Sequence, residues 1–187
     1  MTGAPSHENP SHALAGPIAQ AAPAGLLILA AALSVTGCDQ PKPRNPPSAA
    51  AGPPAAPTPT PPTPDWAKPL LGQALQAAFP KTGACKGNTD IVQRTYAGDP
   101  AGVQIHGWGW DAARKARVER VVLTDAEGRI VGAGAGGGER PDVPVALAEV
   151  TDGHTGWNAD APVTHGPLLA YGVVADDTAC VLGRIDF

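Results

Sequence analysis

Eleven of the twenty-six residues from Asp39 to Pro64 are proline, and most of the others are Ala, Thr, Ser or Gly. Proline fixes φ and removes an amide donor, so neither helix nor sheet can propagate through such a stretch. It reads as polyproline II or plain coil, reaching up to roughly 80 Å at ~3.1 Å per residue. Folding is thereby confined to the two sides. Upstream lies the apolar run Ala24 to Leu33, and downstream lie the 123 residues Asp65 to Phe187, the length of one ordinary domain.

The upstream side ends in Val35-Thr36-Gly37-Cys38, which has the form of a bacterial lipobox. Such a box is cut before the Cys, whose thiol carries a diacylglycerol. Each buried CH₂ contributes about 0.8 kcal/mol, so two or three acyl (palmitate-type) chains anchor durably. On this reading 1–37 is a lipoprotein signal peptide and Cys38 the lipidated residue. The segment 38–64 is then a spacer, disordered like the rest of the N-terminal region. The protein would face the periplasm from the cell envelope, held to the membrane by its lipid, with Asp39 favouring the inner membrane over the outer. One feature departs from the usual signal, since 1–37 contain no Lys or Arg. A transmembrane helix fits less well, because a span needs ~20 apolar residues and Pro23 and Ser34 bracket a shorter run.

The domain 65–187 carries fifteen acidic and eleven basic residues, a formal charge of −4. Nucleic acid selects a basic patch or stripe, so it is not the expected partner. Arg114, Lys115, Arg117 and Arg120 cluster locally, but Asp111, Glu119 and Asp125 balance them, as on a solvated face. Besides Cys38 the only cysteines are Cys85 and Cys180. An even pair in an oxidising compartment reads as a disulfide. Closing so long a loop stabilises by roughly 4–5 kcal/mol in the chain-entropy model.

In Asp65 to Phe79, the residues Trp66, Leu70, Leu71, Ala74, Leu75, Ala78 and Phe79 recur at helical spacing and predict one amphipathic helix. Short β-type runs follow: Asp90 to Tyr96, Val103 to Asp111, Val118 to Asp125, Ile130 to Gly134, Leu168 to Ala175 and Thr178 to Ile185. Gly98-Asp99-Pro100, Ala126-Glu127-Gly128 and Asp176-Asp177 suit tight turns between them. A second short helix is predicted over Asp142 to Val150, capped by Asp142. The expected fold is therefore mainly β: an antiparallel β-sandwich with a leading helix and one small inserted helix.

No catalytic signature is assembled. Gly132, Gly134 and Gly137 formally match a dinucleotide fingerprint, but Pro141 and Pro144 restrict the helix that motif needs, so a glycine-rich loop is expected. His106, His154 and His165 belong to no assembled signature such as H-E-x-x-H; a three-His metal site is the minor alternative, and no cofactor or metal is expected. The aromatic residues are the better lead. Trp108 and Trp110 lie two apart, on one face of a strand, with Trp157 a third member. They serve either as core or as a platform for sugar rings. Arg140, in Arg140-Pro141-Asp142-Val143, offers a planar fork that grips a structural carboxylate or an acidic sugar.

Taken together, Gly107-Trp108-Gly109-Trp110-Asp111, Arg120 to Gly132, Arg140-Pro141-Asp142-Val143 and Thr155-Gly156-Trp157-Asn158 resemble a β-sandwich accessory domain. That domain is appended to some bacterial envelope glycosyltransferases and polytopic membrane proteins. The resemblance runs from about Cys85 to Leu182, and the transferase part is not within it. It implies a non-catalytic role near envelope glycans, with no residue mapping as catalytic. The expectation is thus a non-enzymatic, carbohydrate-associated lipoprotein whose partner is a glycan or a membrane protein. The alternatives are a protein–protein adaptor for a membrane complex and, less favoured, a small hydrolase.

Overall fold

The structure is a computed structural model that describes residues 55–187. The expected signal peptide over 1–37, the expected lipidation site Cys38, Asp39 and the proline-rich stretch up to Pro54 lie outside the described residues. The described part is mainly β. Its strands are β1 (Lys81–Thr82), β2 (Cys85–Tyr96), β3 (Gly102–Asp111), β4 (Ala116–Arg117), β5 (Arg120–Thr124), β6 (Ile130–Gly138), β7 (Gly156–Ala161), β8 (Leu168–Ala175) and β9 (Thr178–Ile185). Two short helices, α1 (Leu75–Ala78) and α2 (Asp142–Ala146), accompany them.

All nine strands belong to one sheet, in the order β1-β9-β8-β5-β6-β7-β3-β2, with β4 paired to β3. Every pairing is antiparallel except β1 with β9. This corrects the expected sandwich of two sheets. The sheet curls instead, bringing β2 at one end of the order back against β9 near the other. The disulfide Cys85–Cys180 bridges them with Cα atoms 5.6 Å apart. Bare backbone lets the two strands meet: a Cβ on Gly183 would lie 2.6 Å from Oγ1 of Thr89 and 2.8 Å from its amide nitrogen. A curled sheet buries its concave side in itself, so one sheet supplies a core that a sandwich draws from two.

That core holds Val103, Ile105, Val121, Leu123, Trp157, Leu168 and Leu182. The convex side over Val122, Ile130, Ala133, Val173 and Ala179 is covered by the leading segment through Ala67 and Phe79. The segment is not the single helix expected. A 3₁₀ turn over Lys68–Leu70 and α1 are separated at Gly72 and Gln73. There the Gly72 amide donates to the Ile130 carbonyl (2.8 Å) and the Ile130 amide to the Gln73 carbonyl (2.9 Å). These long-range bonds pull the backbone out of helix while keeping Trp66, Leu70 and Leu75 on the sheet.

The expected glycine-rich loop is also corrected. Gly132, Gly134 and Gly137 all lie within β6: Gly132 pairs with β5, Gly134 with both β5 and β7, and Gly137, at φ +100°, falls in the register shift between Gly136 and Gly138. The backbones crowd so closely that a Cβ on Gly134 would collide with the Asn158 carbonyl. The folded unit also takes in part of the proline-rich stretch. The Gly98 amide donates to the Thr58 carbonyl (2.9 Å), the Thr60 amide donates to the Pro100 carbonyl (2.8 Å), and Thr60 is buried. Docking on the β2–β3 turn therefore begins before Asp65, where composition places the boundary.

Candidate functional site

Strand alternation decides which aromatic residues can meet a ligand. Trp157 points inward from β7 and is 0% exposed, and Trp110 is 2% exposed. Neither ring is open to a sugar, which removes two members of the expected aromatic platform. Trp110 packs instead with Val143 and Val150, the chain around α2, with Trp108 and Leu147 at the margin. Trp108 alone of the three stays half-buried, on the outer side of β3.

The same outer side carries a row of polar side chains across β2, β3 and β7. In register, His106 lies opposite Asn158 and Gln104 opposite Asp160. His106 Nδ1 is 3.0 Å from Asn158 Oδ1. Asp160 Oδ1 accepts from Tyr96 Oη (2.9 Å) and Gln104 Nε2 (3.2 Å). On β2, the Asn88 side-chain amide donates to Asp90 Oδ1 (2.8 Å). Burial and the facing Asp160 carboxylate push the Tyr96 hydroxyl pKa up, so this acceptor–donor pair stays in place at neutral pH.

Arg140 completes the row. Its Nε and one terminal nitrogen donate to the two oxygens of Asp142 (2.9 and 2.8 Å), and the other terminal nitrogen donates to Asp90 Oδ2 at 2.5 Å. Hydrogen bonds from Arg140 hold the Asp142 carboxyl below its ordinary range, and those to Asp142 push the guanidinium pKa up. Asp142 therefore spends its carboxylate on Arg140. The expected cap on α2 does not form, no side chain caps that helix, and α2 ends at Ala146 rather than Val150. A Cβ on Gly156 would sit 3.1 Å from Arg140 Cγ, and Gly156 lies opposite Trp108 in the ladder. The Arg140 stem thus crosses β7 beside the half-buried indole.

Replacing Arg140 by Ala is expected to destabilise the fold by about 1–2 kcal/mol, because Asp90 and Asp142 lose their shared charged donor. Lysine should restore only part of it, lacking the planar fork. Thermal melts of the two variants check this; an unchanged midpoint for Arg140→Ala would mean the fork is not structural.

Asn158, quoted only as part of Thr155-Gly156-Trp157-Asn158, and Asp160 are not among the candidate site residues expected from the sequence. Their signal was the period-2 alternation Trp157, Ala159, Ala161 against Asn158, Asp160, weakened because alanine is a poor strand marker. His154 is joined to Asp152 rather than to this row, and His165 lies beside Thr164. Among the described residues no group of three or more His, Cys, Asp or Glu is placed to hold a metal ion, and no helix is long and apolar enough to cross a membrane. No family model, curated protein or solved structure matches this chain.

Proposed function

We propose that this is a lipid-anchored envelope protein whose disulfide-closed β domain is a non-catalytic binding module for envelope glycans. The observation that carries the reading is the outer face of β2, β3 and β7. There, amide, imidazole, carboxylate and guanidinium groups that are partly open to solvent run side by side along Trp108. Saccharides present alternating hydroxyl donors and acceptors with apolar C–H faces, and a flat row of paired polar groups beside an indole matches both. Asn158 is exposed and His106 half-buried, so both can exchange their mutual contact for a hydroxyl.

The resemblance of Gly107 to Asp111, Arg120 to Gly132 and Arg140 to Val143 to accessory domains of envelope glycosyltransferases supports the same class. The anchor rests on Val35-Thr36-Gly37-Cys38 and on the proline-rich spacer, with Asp39 favouring the inner membrane. The adaptor reading has its own support in Val145, 89% exposed on α2.

The test is retention of the purified full chain on immobilised envelope polysaccharides. Binding is expected, together with a loss of about tenfold in Asn158→Ala and His106→Ala at unchanged melting temperature. A folded chain that is retained on no envelope polysaccharide sinks the glycan reading and leaves the adaptor. For the anchor, metabolic fatty-acid labelling should mark the wild-type chain and not Cys38→Ser.

A further inference from the structure

A groove of about 420 Å³ opens where the turn after β3 faces the loop before β7. Four cations border it: Arg114 and Lys115 in the turn, Arg117 on β4 and Arg120 at the start of β5. In sequence these are offset by Asp111, Glu119 and Asp125. In the fold the acids are redistributed, with Asp152 joining Asp111 and Glu119 in the lining. Asp125 is not in the groove; its carboxylate accepts the Glu127 and Arg129 amides in the β5–β6 turn (3.1 and 2.8 Å). The two acids set deepest, Asp111 and Asp152, are partly committed to their own loops. Asp111 Oδ1 accepts the Ala113 and Arg114 amides (3.0 and 3.2 Å), and Asp152 Oδ1 accepts the His154 amide (2.8 Å).

Arg114 also donates to the Val174 carbonyl and Arg120 stacks over the Trp66 ring at 5.5 Å, while the ion pairs themselves are long. Arg114 stands 3.7 Å from Asp111, Arg117 stands 3.4 Å from Asp152 and 3.6 Å from Glu119, and Arg120 stands 3.6 Å from Asp176. Arg140–Asp90 at 2.5 Å and Arg184–Asp186 at 2.7 Å show how tight such pairs are elsewhere in the same molecule. Glu119 and Asp176 are also exposed, so they are readily displaced. Among the described residues Lys115 has no carboxylate within ion-pair reach. Its φ of +51° is the left-handed backbone uncommon for a residue with a Cβ.

Arginine presents five donors in a fork that matches carboxylate and phosphate. Here the long pairs of Arg117 and the absence of an ion pair on Lys115 leave donors free around a cavity of small-ligand size. We propose that this groove binds the oxyanion of an acidic ligand, a saccharide carrying a carboxylate or a phosphate. The groove lies past the Trp110 end of the outer face of β2, β3 and β7 and shares none of its His106, Asn158 or Arg140 groups, so its test does not depend on that reading.

Isothermal titration of the full chain in detergent with tetragalacturonate, glucose 6-phosphate and cellotetraose decides it. At low salt at least one of the two anions binds and the neutral tetrasaccharide does not. Raising ionic strength to about 0.3 M weakens binding severalfold, as screening shortens the reach of the cations. Arg117→Gln and Lys115→Gln each weaken it by about tenfold with the melting temperature kept, while Arg184→Gln, outside the groove, leaves it unchanged. Binding of tetragalacturonate alone identifies a uronate ligand, and of glucose 6-phosphate alone a phosphorylated one. The proposal is overturned if neither anion binds the folded chain, if cellotetraose binds equally, or if Arg184→Gln weakens binding as much as the groove variants.

Discussion

Trp157→Ala is expected to cost the folded unit about 3–5 kcal/mol, the range for truncating a buried large aromatic side chain. The indole is fully buried in the concave core with Ile105, Leu123 and Leu182. It lies directly against Gly107, where no side chain fits beneath it. The surrounding strands are tied by ladders on both sides of β7, so the cavity cannot collapse. Trp157→Phe should lose much less. It keeps most of the ring and removes an indole N–H that has no protein acceptor, whose burial is itself unfavourable. Urea denaturation of the two variants checks the order. Equal losses would mean that the N–H, and not the packing, is what the site depends on.

Removing the Cys85–Cys180 bridge is expected to cost about 2–5 kcal/mol. The bond joins positions separated by 95 residues in sequence, so its loss restores a large loop to the unfolded chain. It also lies on the seam where β2 meets β9, strands that share no ladder pairing. Loss of the bond therefore leaves that closure to side-chain packing around Leu182 and Thr89. The midpoint of denaturation of the Cys85→Ala, Cys180→Ala chain should fall accordingly, and treatment of the wild type with a thiol reductant should reproduce the fall. A double variant as stable as the wild type would show that the curl closes without the bond.

Most of the strands are legible as short runs rich in Val, Ile and Leu in β3, β5, β8 and β9, with turn residues between them, whereas β7, built of Ala and polar residues around Trp157, is not. The single-sheet topology is not legible either. It depends on how far a sheet curls, and here close approach at Gly183 and the β2–β9 crossing set the curl, neither of which has a local pattern. Helical periodicity in Asp65 to Phe79 marks the apolar stripe that covers the sheet but not the path of the chain. The hydrogen bonds from the Gly72 amide to the Ile130 carbonyl and from the Ile130 amide to the Gln73 carbonyl outweigh the propensity of a short segment. Composition placed the end of the spacer at Pro64, whereas Thr58 and Thr60 reach acceptors and donors on the β2–β3 turn. Among the candidate site residues, spacing put Trp108 and Trp110 on one face correctly. What it could not show was that the α2 segment covers that face over Trp110 and leaves Trp108 at its margin. Arg140 was legible as a fork for a carboxylate; its second partner Asp90, fifty residues away, was not.

Chemical-shift mapping on isotopically labelled chain, titrated with the envelope oligosaccharide that is retained best, tests the central claim most directly. The account predicts shifts concentrated on His106, Asn158 and the Trp108 indole, with the Trp157 indole unmoved in its core. Shifts confined to other surfaces, or none on the outer face of β2, β3 and β7 at saturating ligand, would contradict it.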